Sequence, residues 1–169
     1  YFDFGKGSVA HVADLIKQFG GGKVLLHYGG GSIKRSVLYD EITKILTKAS
    51  IPYVELGGVK PNPRSGLVYE GIDLCKKEGV DFILAVGGGS TIDSSKAIAA
   101  GSVYDGDYLD FYRGKEKITK ALPIGTVLTI AAAGSEGSPN TVITDESTGL
   151  KKGSRGECLR PKFSIMDPT

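Results

Sequence analysis

The sequence predicts an α/β fold, in which a Rossmann-like parallel sheet is flanked by helices and an antiparallel hairpin lies near the carboxyl terminus. Apolar runs of strand length alternate with helix-length segments, as expected for parallel strands joined by crossovers. The run "DFILAV" is almost wholly apolar, which is typical of a strand covered on both faces. The tetrapeptide Gly-Gly-Gly-Ser also follows two of these runs. We therefore expect residues 1–169 to form one domain.

The elements of the first half follow from apolar spacing and from turn residues. Val12, Ile16 and Phe19 recur at helical spacing after Ser8, a plausible helix cap. The predicted elements are, in order, a helix over 8–19, a strand over 23–28, a helix after the first glycine triplet, a strand over 52–56, a loop over 57–63 and a helix that carries Leu67, Val68, Ile72 and Cys75.

The elements of the second half are predicted in the same way. They are a strand over 81–86, a helix after the second triplet, a surface loop or short helix after Gly101, a strand over 121–130, an antiparallel hairpin from Thr141 with its turn at 145–149, and a last strand in "PKFSIMD".

Charge and composition exclude several classes of function. The net charge is only +2 and the cations are interspersed with acids, so no basic surface for nucleic acid is expected. No apolar run approaches the ~20 residues that cross a bilayer, so no membrane partner is expected. Cys75 and Cys158 form no metal-type pair and no disulfide framework, so a reducing cytoplasm is expected. The first residue is Tyr1 and the last segment follows an apparent strand, so we expect a piece of a longer protein.

The two glycine triplets are candidate phosphate sites. A helix amino terminus offers unpaired N–H groups and a partial positive charge, and glycine lets phosphate oxygens approach them. The structural alternative is a tight turn in which Ser90 and Asp93 form a capping box. Triplets at equivalent ends of two parallel strands favour ligand binding, because ligands bind at the carboxyl ends of such strands. We therefore expect one dinucleotide held at two points.

Charge distinguishes the two triplets. The first is followed by Lys34 and Arg35 without an acid, which suits an added phosphate better than a ribose diol. The second is followed by Asp93 and fewer cations, which suits a pyrophosphate held mainly by backbone. The usual fingerprint would instead place the ribose on Glu55. We disfavour that interpretation because of the cations. A solvated helix face is an equally good explanation of Arg35.

Several motifs in order resemble those of the iron-containing, or group III, alcohol dehydrogenases. They are "FDFGKGSV" near the start, "GVKPNPRSG" at 58–66, "GGGSTIDSSKAIA" at 87–99 and "VLTIAAAGSEGSPNTVITDESTGLKKG" after them. The first triplet, in "YGGGSIK", is similar to that of the butanol-dehydrogenase-like branch. The resemblance covers essentially the whole chain.

The resemblance implies a set of cofactor-binding residues. It places the adenosine ribose at the first triplet, a 2′-phosphate near the lysine that follows, the adenosine half against Asn62 and the pyrophosphate at the second triplet. Thr129 would approach the pyrophosphate or the nicotinamide ribose, Asp93 would face the nicotinamide end, and Val142 and Lys151 would line the rest of the cofactor groove. The implied residues are Gly30, Gly31, Ser32, Lys34, Asn62, Gly88, Gly89, Ser90, Asp93, Thr129, Val142 and Lys151. Asn62 has a second plausible role as a helix cap before Pro63.

The resemblance also implies parts that this chain lacks. In that family Fe²⁺ or Zn²⁺ is held by an Asp and three His of a helical second domain. Here His11 and His27 are expected to be packing or surface residues, and Asp167 precedes the position of the metal-binding Asp. We therefore expect no metal ligand and no catalytic residue within residues 1–169.

The implied activity is hydride transfer between NADP(H), which is favoured over NAD(H), and a small alcohol or aldehyde. The alternatives are a dehydroquinate-synthase-like NAD-dependent lyase and a catalytically silent nucleotide-binding module. The opening strand offers an edge on which a homodimer could form.

Overall fold

The computed structural model describes residues 2–4, 11–29, 37–59, 63–128 and 138–166, with backbone alone for 2–4, 37–38 and 166. The elements are β1 (Phe2–Phe4), α1 (Val12–Gln18), β2 (Val24–Gly29), α2 (Val37–Lys48), β3 (Tyr53–Val59), α3 (Ser65–Glu78), β4 (Phe82–Gly87), α4 (Gly89–Ser102), α5 (Leu109–Tyr112), β5 (Ile124–Leu128), β6 (Asn140–Asp145), β7 (Leu150–Arg155), a 3-10 turn (Glu157–Leu159) and β8 (Phe163–Met166).

Six strands form one sheet in the order β1-β8-β5-β4-β2-β3, and every neighbouring pair is parallel. Helices α1 and α2 pack on one face against alternate residues of the central strands, such as Leu26 and Leu84. Helices α3, α4 and α5 cover the other face, where Leu25 and Ile83 point. Strands β6 and β7 form a separate antiparallel hairpin. The predicted α/β class, with helices on both faces and a late hairpin, is confirmed.

The strand order reverses between β2 and β4, and this fixes the place of the site. From β2 the chain moves outward to β3, whereas from β4 it moves the opposite way to β5. In such sheets the crevice at the carboxyl ends of the two central strands is the usual ligand site. Tyr28 pairs with Val86 in register, so Gly29 and Gly87 lie at adjacent strand ends. Each of these glycines begins one of the two triplets.

Strand β3 is longer than the sequence suggested. The expected loop over 57–63 is partly wrong, because Gly57, Gly58 and Val59 belong to the strand. A glycine pair usually indicates a turn, but a glycine inside a strand can also mark a close approach of another group. At Gly57 that group is the ring of Tyr28, which occupies the space that a Cβ would need.

Two other boundaries differ from the expected ones. Helix α1 begins at Val12, with Phe19 just beyond its end, and the expected cap Ser8 lies outside the described residues. Strand β5 begins at Ile124 rather than at 121. The preceding segment is held by helix α4, since the Leu122 N–H bonds the Ala99 carbonyl at 3.1 Å.

Candidate functional site

The amino terminus of α4 opens at the crevice between β2 and β4. Its cap residue is Gly88, no cap side chain bonds the first turn, and that turn contains no acid. The first N–H groups of a helix have no partner within the helix, and they carry the positive end of its dipole. This terminus is therefore open to an anion.

Gly87 is required by both conformation and space. Its φ is +149°, which L residues rarely adopt, and a Cβ would lie 2.8 Å from Thr91 Oγ1. The same hydroxyl would lie 3.9 Å from a Cβ on Gly29. Thr91 is buried and thus fills the floor between the two strand ends. The bare backbone above it leaves room for a ligand.

The capping box considered for Ser90 and Asp93 is wrong. The extended backbone of a cap falls on Gly88, at φ −106° and ψ −163°, so Ser90 already lies inside the helix. The Asp93 side chain turns to the hairpin instead, where the backbone N–H of Val142 donates to its carboxylate. Two of the expected site residues, Asp93 and Val142, are therefore in direct contact.

The carboxyl group of Asp93 is only partly exposed. Burial raises its pKa to about 6, while the nearby Lys96 charge and the Val142 N–H both act to lower it. The backbone carbonyl of Asp93 also accepts a hydrogen bond from Thr141 Oγ1 at 2.9 Å. The helix and the hairpin are therefore joined at the edge of the crevice.

Val142 and Lys151 share the outward face of the hairpin. Residues 141, 143 and 145 are buried, so Val142 and Thr144 point the other way, and Val142 is 41% exposed. Lys151 pairs with Thr144 in register and is also exposed. This outward face is a plausible wall for a ligand bound at the crevice.

Half of the expected site residues lie outside the described part of the chain. These are Gly30, Gly31, Ser32, Lys34, Asn62 and Thr129. Gly29 and Leu128 are the last described residues before Gly30 and Thr129. They end β2 and β5 at the same edge of the sheet as Gly87. For these six residues a role in cofactor binding stays a prediction.

Glu55 does not occupy the position of the fingerprint acid. It pairs with Leu26, three residues before β2 ends, and so lies in the middle of the sheet edge. Its Oε1 accepts hydrogen bonds from Tyr39 at 2.6 Å and from Tyr28 at 3.4 Å. Burial, and after it the charge of Glu55, raises the pKa of Tyr28 to about 12, whereas the hydrogen bond to Glu55 is the main cause of the raised pKa of Tyr39. The position and hydrogen bonds of Glu55 therefore do not support a ribose site at this residue.

His27 is a packing residue, as expected. Its Nδ1 lies 2.7 Å from the Leu56 carbonyl and its Nε2 lies 2.8 Å from Ser94 Oγ. A carbonyl can only accept, so Nδ1 carries the proton and Nε2 accepts from the serine. Burial lowers the pKa of His27 to about 4, so the ring is neutral at pH 7. His11 is an exposed residue at the start of α1.

Sequence reasoning missed Lys96. This residue is fully buried, and its Nζ donates to the carbonyls of Ser138 at 2.7 Å and Asn140 at 2.8 Å. Its signal was present in "SSKAIAAG", where one lysine stands among small residues of a helix. A charge in such a helix indicates buried polar partners.

The described residues provide no metal centre. Among residues 11–29, 39–59, 63–128 and 138–165, no group of three His, Cys, Asp or Glu side chains could hold an ion. Across the same segments, no helix has the length and apolar character needed to span a bilayer.

Comparison with known proteins identifies relatives along nearly the whole chain. The family model for iron-containing alcohol dehydrogenase matches residues 2–168. The chain is 49% identical over 166 residues to NADH-dependent butanol dehydrogenase A of Clostridium acetobutylicum, covering 98% of this chain and 42% of that protein. It is 35% identical over 168 residues to the NADPH-dependent aldehyde reductase YqhD of Escherichia coli, with coverage of 98% and 42%.

The fold agrees with that relationship. The crystal structure of NADH-dependent butanol dehydrogenase A from Thermotoga maritima matches with a TM-score of 0.96 and 49% identity, covering 99% of this chain and 42% of that one. The chain thus spans less than half the length of these relatives. A match along residues 2–168, together with the parallel sheet and its crevice, shows that this chain belongs to the iron-containing alcohol dehydrogenase family.

Proposed function

We propose that residues 1–169 are the dinucleotide-binding domain of a longer, two-domain, metal-dependent alcohol or aldehyde oxidoreductase. The observation that carries the proposal is the open amino terminus of α4, which follows Gly87 at the reversal of strand order and adjoins Gly29. The family match and the coverage of 42% of each relative support it. They also favour an oxidoreductase over the lyase alternative.

In this proposal the pyrophosphate lies on the backbone at Gly88, Gly89 and Ser90. Helix dipole and unpaired amides together favour an anion there, and glycine permits close approach. The adenosine end lies on Gly30, Gly31, Ser32 and Asn62. The nicotinamide end lies towards Asp93, and Thr129 approaches the pyrophosphate or the nicotinamide ribose. Val142, which contacts Asp93, lines the rest of the cofactor groove with Lys151. When bound, the nicotinamide ring carries the hydride.

We further propose that NADP(H) is favoured over NAD(H). Lys34 and Arg35 follow the first triplet with no acid among them, so a 2′-phosphate would find positive charge there. The names of the relatives include both NADH-dependent and NADPH-dependent enzymes, which supports the cofactor class rather than the choice within it.

The substrate is proposed to be a small alcohol or aldehyde, since the relatives are named as butanol dehydrogenases and an aldehyde reductase. The Fe²⁺ or Zn²⁺ ligands would come from residues beyond this chain. The unpaired cysteines Cys75 and Cys158 suit a cytoplasmic protein. A homodimer through the edge strand β1 belongs to the same proposal.

Fluorescence titration of the full-length protein with NADPH and NADH tests the proposal. Gly30→Asp should weaken NADPH binding about tenfold or more and NADH binding much less, because a carboxylate repels a 2′-phosphate. Gly30→Ala is the control that adds bulk without charge. Failure of the wild-type protein to bind either nucleotide would refute the proposed function, and equal NADPH affinity in Gly30→Asp and Gly30→Ala would refute the assignment of the first triplet.

A further inference from the structure

Lys96 is a charged residue in a place where an apolar one would pack well. It is fully buried in α4, between Ser95 and Ala97, which are also buried. Burying an ammonium group is expensive unless hydrogen bonds compensate for lost water, and apolar replacement of buried charges is often neutral or stabilising. A lysine here therefore needs an explanation other than packing.

The two hydrogen bonds of Lys96 hold the first part of the hairpin. Its Nζ donates to the carbonyls of Ser138 and Asn140, which flank the start of β6. One turn earlier, Asp93 holds the next two residues of the strand, through the Val142 N–H and the Thr141 hydroxyl. Consecutive residues of β6 are thus fixed to one side of α4.

A buried hydroxyl chain supports the same contact. The Tyr112 hydroxyl of α5 lies 2.9 Å from Thr141 Oγ1. Because Thr141 donates its proton to the Asp93 carbonyl, Tyr112 is the donor in this bond. Both hydroxyl-bearing residues are buried, so water cannot replace these bonds without a rearrangement.

The hairpin depends on these contacts for its position. In the described part of the chain its strands pair only with each other, apart from one bridge between Arg64 and Thr144. A two-stranded hairpin is marginal on its own, so neighbouring elements must fix its position. Helix α4 holds the start of the hairpin, whereas α3 and Arg113 hold its turn, and α4 is also the helix whose amino terminus opens at the crevice.

We infer that Lys96 is a positioning residue for dinucleotide binding: it fixes the outward face of the hairpin, with Val142 and Lys151, relative to the amides of Gly88–Ser90. This inference rests on the proposed function. A ligand that contacts both the hairpin face and these amides binds more tightly when the distance between them is already fixed in the free protein. Less conformational entropy is then lost on binding. A ligand that contacts only the adenosine end gains nothing from it.

The test compares NADPH with AMP in the full-length protein. Lys96→Met removes the charge and keeps the length of the side chain. We expect NADPH to bind about tenfold more weakly, in line with the loss of hydrogen bonds from a charged donor. We expect AMP affinity, measured by displacement, to change less than about twofold. A purely structural role would lower the melting temperature without separating the two ligands.

A second variant covers the case in which Lys96→Met does not fold. Thr141→Val removes the hydrogen bond to the Asp93 carbonyl at nearly constant side-chain volume. It should also weaken NADPH binding, by a smaller factor than Lys96→Met. Lys76→Met is the matched control, because Lys76 also donates to a carbonyl, that of Tyr104 at 3.2 Å, away from the hairpin. It should leave both affinities unchanged.

The outcomes distinguish a failure of the proposed function from a failure of the positioning role of Lys96. If wild-type protein binds no dinucleotide, the proposed function fails. If wild-type protein binds and folded Lys96→Met or Thr141→Val keeps the wild-type affinity for NADPH, the positioning role is overturned. Equal losses for NADPH and AMP in a folded variant also overturn it, because the effect would then not involve the hairpin.

Discussion

Ser94 Oγ donates a hydrogen bond of 2.8 Å to His27 Nε2, and this bond joins helix α4 to the middle of strand β2. Both residues are fully buried. The next residue, Ser95, is equally buried, yet in the described part of the chain its hydroxyl has no partner. Ser94 and Ser95 are therefore both buried in one helix, but only the hydroxyl of Ser94 has a hydrogen-bond partner among the described residues.

That difference predicts opposite results for two alanine substitutions. Ser94→Ala should lower the free energy of unfolding by about 1–3 kcal/mol, because it leaves a buried nitrogen of His27 without a donor. Ser95→Ala should be neutral or stabilising, since it removes a desolvated hydroxyl that gains nothing. Urea denaturation measures both. A large loss in Ser95→Ala would instead reveal a partner among the residues outside the described part.

The same histidine predicts a dependence of stability on pH. Its pKa is about 4 in the folded state, below its ordinary value of 6.5. Between these values the unfolded state binds the proton more readily, so acidification lowers the free energy of unfolding. The difference corresponds to up to about 3 kcal/mol. His27→Gln should therefore flatten the stability profile between pH 6.5 and pH 4.

Asp93 acts in the opposite direction over nearly the same range. Its folded-state pKa of about 6 lies above its ordinary value of 3.8, so here the folded state binds the proton first. Acidification from pH 6 to pH 4 therefore adds stability through Asp93 and offsets part of the loss through His27. Asp93→Asn should make the wild-type decline steeper. Identical slopes in wild type and both variants, measured by denaturation from pH 4 to pH 7, would contradict both assignments.

Helices α3 and α4 contact each other through reciprocal glycines. A Cβ on Gly71 would meet the Cδ1 of Ile98, and a Cβ on Gly101 would meet the Cδ1 of Ile72. Gly71→Ala should therefore destabilise by about 1–3 kcal/mol through overpacking, despite the better helix propensity of alanine. Ile98→Val removes the nearer of the two Ile98 atoms that this Cβ would meet, Cδ1, and so relieves part of the overlap, while Cγ1 at 2.7 Å remains.

The double variant is the control for that substitution. Gly71→Ala with Ile98→Val should be more stable than Gly71→Ala alone, although Ile98→Val by itself costs about 0.5–1.5 kcal/mol. Thermal unfolding of the four proteins completes the cycle. Additive effects would show that the methyl group of Ile98 has room to move.

The hairpin turn provides a cap for helix α3. The cap residue Arg64 makes no side-chain cap bond, whereas Glu146 Oε1 accepts the Gly66 N–H at 2.6 Å. Glu146→Ala should therefore cost about 0.5–2 kcal/mol, and Glu146→Gln should cost less, because it keeps the acceptor and loses only the charge. Equal stability of all three proteins in urea would show that water satisfies the amide as well as Glu146 does.

Features that depend on neighbouring residues in the chain could be predicted from the sequence. Strand β4 follows from its apolar run, and the hairpin turn follows from the residues between Asp145 and Gly149. The extension of β3 through Gly57 was missed, because its cause is the ring of Tyr28 on another strand.

In the candidate site, too, local signals could be predicted from the sequence and contacts between distant residues could not. Glycine triplets after two strands indicated the crevice, since parallel strands end at one edge. The partners of Lys96 and of Asp93 were missed, because they lie more than 40 residues away in the chain and depend on how the hairpin packs.

A crystal structure of the full-length protein with bound NADP⁺ would show whether the amino terminus of α4 binds the cofactor. We expect pyrophosphate oxygens within about 3 Å of the backbone nitrogens of Gly89 and Ser90, above the Thr91 side chain. Phosphoryl groups bound elsewhere, with the amino terminus of α4 still in contact with solvent alone, would contradict it.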